Sequence, residues 1–304
     1  MQSQKKIKNH KGLKESNQVP YAVMLAPFAI LFCLFMLLPV ISSIIIGFFS
    51  FDMISAPKFI GVSNYVRMFL DDEVFLTTLK NTILLAVLTG PAGFLLSFVL
   101  AWFINEFDTG VRTVLSFMFY CPSLVGNAFY IWQIAFSGDS YGYINSFLLS
   151  GGFITEPINW LKDADYIIPI IVMVQLWMSM GVSFLANISG LQNINSEMYE
   201  AGAIDGIRNR WQELWYITLP AMEHMLLFSA VMQIASSFSI SGLCIQLVGY
   251  PSVNFTADTI VSYLQDVGTT KYEMGYACAI SVVLFLIMII TRAVINKMLR
   301  RVGR

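Results

Sequence analysis

The stretch from position 81 to position 105, NTILLAVLTGPAGFLLSFVLAWFIN, contains no charged side chain. A lysine, arginine or aspartate at the centre of a bilayer costs about 2.5–3.5 kcal/mol on insertion scales. A long apolar stretch without charges therefore predicts a helix that crosses a membrane. Its continuous apolarity argues against a β-barrel, whose strands alternate between apolar and polar residues.

The composition of the whole chain also indicates a membrane protein. Of its 304 residues, 57% are hydrophobic and 12% are charged, and the mean hydropathy is +0.68. A soluble domain has roughly a quarter charged residues, so a disordered protein, a disulfide-rich secreted module and a typical cytosolic enzyme are excluded. The net charge of −1 excludes a nucleic-acid partner, which would need a basic surface. Four widely separated cysteines and two histidines predict no metal site and no cofactor.

Six long uncharged stretches predict six transmembrane helices, so the predicted fold class is an all-α integral membrane protein. The shortest stretch covers roughly 27 Å at 1.5 Å per residue, just enough for a hydrocarbon core of about 30 Å. A seventh stretch, 140–155, is too short and too rich in Gly, Ser and Asn, and we expect an external loop there. The six predicted spans are 16–51, 81–105, 113–138, 166–196, 225–257 and 274–291.

Basic residues at both ends predict that both termini are cytoplasmic. Five lysines lie between positions 5 and 14, and five lysines and arginines follow position 291. Such residues favour the cytoplasmic side of a membrane, and an even number of spans places both ends on one side. The chain therefore divides into a basic tail (1–20), a six-span domain (21–299) and a basic end (300–304).

The loop between the fourth and fifth predicted spans, 190–222, is the one sizeable polar segment on the inner side. Ser196 is a candidate N-cap for a short helix from Glu197 to Asp205, and Gly206 ends that helix. A second helical stretch, 208–216, would place Trp211, Leu214 and Trp215 on one side. It would also bring Arg210 and Glu213 close enough for an i,i+3 ion pair. A linker needs only a few polar residues, so this loop predicts a docking element for a cytoplasmic partner. The alternative is a helix that lies on the membrane surface.

The loop resembles the EAA loop of ATP-binding-cassette (ABC) importer permeases. In that pattern Glu-Ala-Ala is followed after three residues by Gly and, about nine residues later, by Ile-x-Leu-Pro. The flanking sequence is similar to that of the carbohydrate branch, the maltose-type and glycerol-phosphate-type permeases. Here ten residues, not nine, precede the isoleucine, and one extra residue would rotate a helix by about 100°. The residues at these positions are Glu200, Ala201, Gly202, Asp205, Gly206, Ile217, Leu219 and Pro220, and Gly202 departs from the pattern, which has alanine there.

The resemblance implies a type I importer fold in a bacterial plasma membrane, with a cytoplasmic coupling helix between the fourth and fifth spans. It implies four kinds of partner: a second homologous permease, a cytoplasmic ATPase dimer, an extracellular solute-binding protein and membrane lipid. ATP would be bound by the ATPase, and no GxxxxGK[ST] phosphate loop occurs in this sequence. Glu200 and Asp205 would bond to the ATPase, Gly202 and Gly206 would permit its close approach, and Leu219-Pro220 would fix the exit of the helix.

Uncharged polar residues within the predicted spans are candidates for a substrate path, because sugar hydroxyls that leave water need replacement hydrogen bonds. No charged residue lies deep in a span, which fits a neutral substrate and argues against a proton or sodium relay. The same residue types also join helices to one another. The alternative function is an autonomous secondary transporter or channel for a neutral polar solute. The candidate path residues are Gln175, Ser179, Ser183 and Asn187 at four-residue steps, then Gln233, Ser237 and Asn127.

Overall fold

The computed structural model describes residues 18–302, with side chains described from 23 to 297. The predicted basic tail and basic end therefore lie mostly outside the described residues. In the described part of the chain, strands occur only as one short antiparallel pair, Phe49–Ser50 with Lys58–Phe59. The remaining elements are helical, in agreement with the predicted fold class.

The first half of the chain forms the helices that follow, with a π-helical turn, Cys33–Leu37, between the first two. Leu37 and Pro39 mark the point where α-helical geometry resumes. The helices are α1 (Gln18–Phe32), α2 (Leu38–Ile46), α3 (Ser63–Leu70), α4 (Glu73–Asn105), α5 (Thr109–Leu124), α6 (Tyr130–Ala135) and α7 (Tyr143–Ser150).

The second half contains shorter helices and two further π-helical turns, Leu214–Thr218 and Asp266–Thr270. A 3₁₀ turn covers Val253–Phe255. The helices are α8 (Ala164–Met178), α9 (Val182–Gln192), α10 (Ser196–Ile204), α11 (Arg210–Glu213), α12 (Leu219–Ala221), α13 (Glu223–Phe238), α14 (Ser241–Val248), α15 (Ile260–Gln265) and α16 (Met274–Val302).

Four helical stretches of the described chain are long and apolar enough to cross a membrane. A fifth forms if α8 and α9, which meet at an angle of 42°, are counted as one bent span. The five correspond to predicted spans one, two, four, five and six. The first four stretches are Val23–Ile46, Glu73–Asn105, Glu223–Val248 and Met274–Lys297.

The third predicted span, 113–138, is not one continuous helix. α5 ends at Leu124, Val125 has an extended backbone, and the chain becomes helical again at Tyr130. Pro122 lies inside the last turn of α5 and removes a helical hydrogen bond there. At 16 residues, α5 alone covers roughly 24 Å, less than a hydrocarbon core of about 30 Å.

Helix α4 lies at the centre of the bundle and packs against α8, α9 and α13. Small residues permit these close contacts: a β-carbon on Gly93 would collide with the side-chain nitrogen of Gln233 on α13. Ser97, one turn further along α4, is fully buried at the contact with α9. Small and weakly polar residues at helix contacts are typical of membrane bundles.

At the N-terminal end of α4, Asp72 joins three helices. Its carboxylate accepts hydrogen bonds from the hydroxyls of Tyr263 (2.5 Å) and Tyr276 (2.6 Å) and from the backbone N–H of Phe75 (2.9 Å). Burial alone would raise the pKa of Asp72, but these hydrogen bonds and the charge of Arg67 hold the pKa below its usual value. The network therefore fixes the start of α4 against α15 and α16.

The segment that follows α6 is an ordered loop built around one asparagine. The expected external loop 140–155 contains α7, and Asn145 on α7 is fully buried. Its amide nitrogen lies 3.0–3.1 Å from the carbonyl oxygens of Ser137, Asp139 and Ile158. Its oxygen accepts from Trp160 Nε1 at 2.8 Å. One amide thus connects both ends of the loop.

Candidate functional site

The short helix expected over Glu197–Asp205 is present as α10, although its N-cap differs from the prediction. Asn195, not Ser196, precedes the helix and accepts a hydrogen bond from the N–H of Glu197 at 3.2 Å. Asparagine and serine are both preferred N-caps, so the residue types alone could not show which of these two adjacent residues caps the helix.

Gly206 ends α10 in a left-handed backbone conformation, with φ +93°. The N–H of Ile207 returns to the carbonyl of Gly202 at 2.9 Å and closes the turn. Glycine adopts this conformation without a steric penalty. Nothing lies within 4 Å of a β-carbon built on Gly206, so within this chain its conformation is the physical reason for the glycine.

Gly202 is buried, and its close neighbour belongs to the same chain. A β-carbon on Gly202 would lie 2.5 Å from Ile217 Cδ1. One turn earlier, the hydroxyl of Tyr199 lies 3.0 Å from Thr218 Oγ1. The expected close approach at Gly202 is thus occupied by Ile217, and α10 is held against the segment that leads into α13.

That segment contains the π-helical turn Leu214–Thr218 in place of the predicted regular helix over 208–216. A π turn accommodates one residue more than an α turn, so it accounts for the extra residue before Ile217. It also corrects the expected grouping of side chains, because Leu214 is buried whereas Trp211 and Trp215 are exposed. Leu214 and Ile217 instead share the buried side of the turn.

Arg210 ties the same loop to the end of α4. Its guanidinium lies 2.8 Å from Glu106 Oε2 and 2.7 Å from Glu213 Oε2. The second contact is the i,i+3 pair expected on this short helix. Beside it, the rings of Trp102 and Trp211 have centroids 5.5 Å apart. The loop therefore contacts a membrane helix at two kinds of site, one ionic and one aromatic.

The opposite face of α10 makes no such contacts in the described structure. Glu200, Ala201 and Asp205 lie there, and Glu200 and Asp205 are exposed. Ile204 is 86% exposed, which is unusual for so large an apolar side chain on a helix that already has a packed face. Ile204 was not among the predicted site residues, although its place four residues after Glu200 could have indicated it.

Three interrupted helices meet around one cavity of about 340 Å³, which we call the central cavity and which opens to the outside of the chain at the exposed residues Ser123, Ser239 and Gln246. The interruptions lie between α5 and α6, between α8 and α9, and between α13 and α14. Helix breaks at membrane depth are tolerated where they line a cavity, because their freed backbone groups need partners. No lining residue is charged: Ser123, Gly126, Phe129, Gln175, Met178, Ser236, Ser239, Ile240, Gly242, Leu243 and Gln246.

Three of the predicted path residues lie at this cavity or at its edge. Gln175 lines it and donates to Ser236 Oγ at 3.1 Å. Ser179 occupies the break after α8, but its hydroxyl donates to the carbonyl of Leu176 at 2.9 Å. Asn127 is exposed in the break after α5, next to the lining residue Gly126.

The next two members of the predicted series lie between helices. Ser183 donates to the carbonyl of Ser229 at 3.1 Å, which joins α9 to α13. Asn187 is fully buried and donates to Ser97 Oγ at 3.3 Å, which joins α9 to α4. The four-residue steps assumed an unbroken helix, and the 42° bend divides that face into two.

Gln233 and Ser237 border a different cavity, which is largely apolar, has a volume of about 420 Å³ and lies between α4, α13 and α16. Gln233 is almost fully buried and reaches the carbonyl of Thr89 at 3.5 Å. Within the described residues, its oxygen has no hydrogen-bond partner. The structure therefore does not bring these two residues together with Gln175.

Three polar residues that line the central cavity, Ser123, Ser239 and Gln246, were not among the predicted path residues. The cluster at 236–239, Ser-Ser-Phe-Ser, could have indicated a helix break, because serine side chains compete for backbone hydrogen bonds. α13 indeed ends at Phe238.

Comparison with known proteins gives a consistent result. The family described as "Binding-protein-dependent transport system inner membrane component" matches residues 93–304. The arabinooligosaccharides transport system permease protein AraP of Bacillus subtilis is 30% identical over 281 residues, covering 92% of this chain and 88% of AraP. The probable ABC transporter permease protein YesP of the same organism is 29% identical over 300 residues, covering 93% and 90%.

The lactose transport system permease protein LacF of Rhizobium radiobacter is 29% identical over 222 residues, covering 72% of this chain and 73% of LacF. Among solved structures, a chain of a bacterial ABC transporter involved in the import of the acidic polysaccharide alginate has a TM-score of 0.78 at 24% identity. It covers 98% of this chain and 100% of its own length. This likeness shows a shared fold.

Proposed function

Because the chain belongs to the family of binding-protein-dependent transport system inner membrane components, we propose that it is the permease subunit of an ATP-driven sugar importer. It forms half of the translocation path for a sugar or oligosaccharide. The main structural support for this proposal is the lining of the central cavity, where three broken helices supply uncharged amides, hydroxyls and freed backbone groups. Such groups replace the water that sugar hydroxyls lose.

Relatives support the choice of substrate class. AraP and LacF are named for the transport of arabinooligosaccharides and lactose, both neutral saccharides. A cavity without charged residues suits neutral hydroxyl groups better than an ion. We therefore assign the class of substrate, a neutral mono- or oligosaccharide, and not an individual sugar.

We propose six membrane spans, with α5 and α6 together forming the third and α8 with α9 forming the fourth. Basic residues are concentrated near both ends of the chain, and such residues favour the cytoplasmic side of a membrane. Both termini therefore lie on the cytoplasmic side, and with six spans α10 lies on that side too. The loop around α7 lies outside. The protein lies in the plasma membrane of a bacterium, which is the inner membrane in bacteria that have two membranes.

Four kinds of partner complete the transporter: a second homologous permease, an ATPase dimer, an extracellular solute-binding protein and surrounding lipid. One solved neighbour is a bacterial alginate ABC transporter in complex with an alginate pentasaccharide-bound periplasmic protein, which supports delivery by such a protein. ATP is bound by the ATPase, so this chain needs no cofactor.

The exposed face of α10 is the proposed docking surface for the ATPase. Glu200 and Asp205 provide charge, Ala201 permits close approach, and Ile204 provides an apolar anchor. Movement of α10 reaches the membrane by the contact of Gly202 with Ile217 and then through the Leu219-Pro220 entry into α13. Gly206 sets the angle at which the chain leaves α10.

An autonomous secondary transporter or channel is the competing function. Such a transporter commonly uses ionisable residues near its substrate site. None of the residues that line the central cavity is ionisable, and a secondary transporter would not use the exposed face of α10.

The test is a charge reversal on α10 with a matched control. In the complex purified with its co-expressed partners, we expect Glu200→Lys to abolish ATP-dependent sugar uptake and to release the ATPase, because a positive charge replaces the acid at the docking surface. Asp108→Lys, an exposed acid on the loop between α4 and α5, should leave both intact. Equal behaviour of the two variants would overturn the docking assignment.

A further inference from the structure

A second polar cavity, the outer cavity, lies beyond the central one and has a volume of about 610 Å³. Its walls are the loop after α6, the segment before α8 and the last turn of α14. The volume falls within the roughly 300–1,000 Å³ typical of small-molecule sites. Its polar side chains are Gln133, Ser137, Asp139, Asn159, Lys162 and Gln246.

The walls of the outer cavity are held in place by hydrogen bonds within the chain. Asn145 connects the carbonyl oxygens of Ser137 and Asp139 to Ile158, which precedes the lining residue Asn159. One carboxylate oxygen of Asp139 accepts from the N–H of Gly142 at 2.7 Å. A rigid polar wall loses little conformational entropy when a ligand binds.

The outer and central cavities share one residue. Gln246 lines both of them, and α14 runs along both, from Gly242 at the central cavity to Val248 at the outer one. The two cavities are therefore consecutive along one helix. A ligand that fills both would pass the Gln246 side chain.

The chemistry of the outer cavity suits a neutral polyhydroxy group. Gln133, Asn159 and Gln246 each provide an amide that both donates and accepts hydrogen bonds. Asp139 and Lys162 have opposite charges, so the lining has no net charge. An anion or a cation would meet a group of its own sign, whereas hydroxyl groups can bond to every one of these side chains.

We propose that the outer cavity is a second sugar subsite, which holds the trailing units of an oligosaccharide while its leading unit occupies the central cavity. The proposal rests on the proposed sugar-import function. It gives the transporter a preference for chain length, because a monosaccharide fills only one of the two cavities.

The experiment measures ATP-dependent uptake by the reconstituted transporter with its binding protein. The probes are arabinose, glucose, and the arabino- and malto-oligosaccharides of two to five units. Gln133→Leu and Lys162→Met remove hydrogen-bonding groups from the outer cavity, and either variant alone suffices if the other fails to fold. Gln265→Leu, an exposed glutamine at the end of α15, is the matched control.

For accepted sugars of three or more units, we expect each outer-cavity variant to raise the KM about three- to tenfold, the effect of losing one net hydrogen bond. The KM for shorter sugars and the basal ATPase rate should not change, and Gln265→Leu should match the unmodified protein. Equal effects on long and short sugars, no effect on either, or uptake limited to monosaccharides would overturn the outer subsite. Uptake of an accepted sugar that proceeds equally well without ATP would overturn the ATP-driven sugar-import function itself.

Discussion

Ile217 occupies the space that a side chain at position 202 would fill, since a β-carbon on Gly202 would lie 2.5 Å from Ile217 Cδ1. The two residues belong to opposite ends of the same loop, one on α10 and one in the π turn. Their contact packs α10 against the entry to α13, so we expect the two segments to move together. The glycine and the isoleucine are thus complementary, and a change in one should be compensated by a change in the other.

The first prediction concerns this pair. Gly202→Ala should lower ATP-dependent uptake several-fold, because the added methyl overpacks the contact at a cost of about 1–3 kcal/mol. Ile217→Val removes Cδ1, the atom that the methyl would strike, so the double variant should recover most of the uptake. Uptake and ATPase rate of the two single variants and the double variant form a double-mutant cycle. Additive losses would show that the contact does not couple the two segments.

The second prediction concerns the end of α10. Gly206 has φ +93°, and leucine in this region is strained by about 1–3 kcal/mol, whereas asparagine tolerates it better. Gly206→Leu should therefore abolish uptake while the protein remains in the membrane, and Gly206→Asn should retain a substantial part. Gly110→Leu, at a glycine without positive φ in the first turn of α5, controls for added bulk in the fold. If the asparagine and leucine variants lose equal activity, backbone conformation is not the reason for the glycine.

The third prediction separates substrate contact from helix packing. Gln175→Leu should raise the KM for sugar a few-fold to about tenfold with normal assembly, because it removes an amide from the central cavity. Ser183→Ala should leave the KM unchanged but lower the stability of the complex by about 1 kcal/mol, because it removes the bond to Ser229. Uptake kinetics and thermal unfolding in detergent measure both quantities. If Ser183→Ala raised the KM and Gln175→Leu only lowered the stability of the complex, the sugar path would lie on the Ser183 side of α9.

The fourth prediction concerns pH. The folded-state pKa of Asp72 is lowered, so the stabilisation it provides is fully present above the unfolded value of about 3.9 and is lost as pH falls through the folded pKa. Tyr263→Phe removes a hydroxyl donor and should cost about 1 kcal/mol at pH 7, with the deficit shrinking below about pH 4. Tyr272→Phe, an exposed tyrosine, is the control. A deficit of equal size at pH 7 and pH 3 would contradict a charge-assisted hydrogen bond.

The sequence predicted which stretches are apolar helices but not where those helices are interrupted. The absence of charged residues from a span depends only on the cost of a charge in lipid. The uncharged stretches therefore located α4, α13 and α16. At the break after Leu124, Gly126 lines a cavity that residues of other helices complete, and no local pattern encodes such an arrangement. For the same reason the sequence placed Ser183 and Asn187 on one helix face with Gln175, whereas the bend between α8 and α9 separates them.

The loop between α9 and α13 was predicted more closely than the grouping of the candidate path residues. Its helix, its terminal glycine and the Arg210 pair with Glu213 all follow from contacts within four residues. The contact of Gly202 with Ile217 joins α10 to the π turn, and the sequence indicated only that one residue was extra. Local chemistry thus located the elements, whereas their mutual packing required the fold.

The most direct test of the central proposal is sugar uptake into proteoliposomes that contain the complete complex, with the solute-binding protein outside and ATP inside. We predict uptake that requires ATP, the ATPase, the second permease and the binding protein together, and that Glu200→Lys abolishes. Sugar uptake by this chain alone, without ATP or partners, would contradict the importer and identify an autonomous transporter.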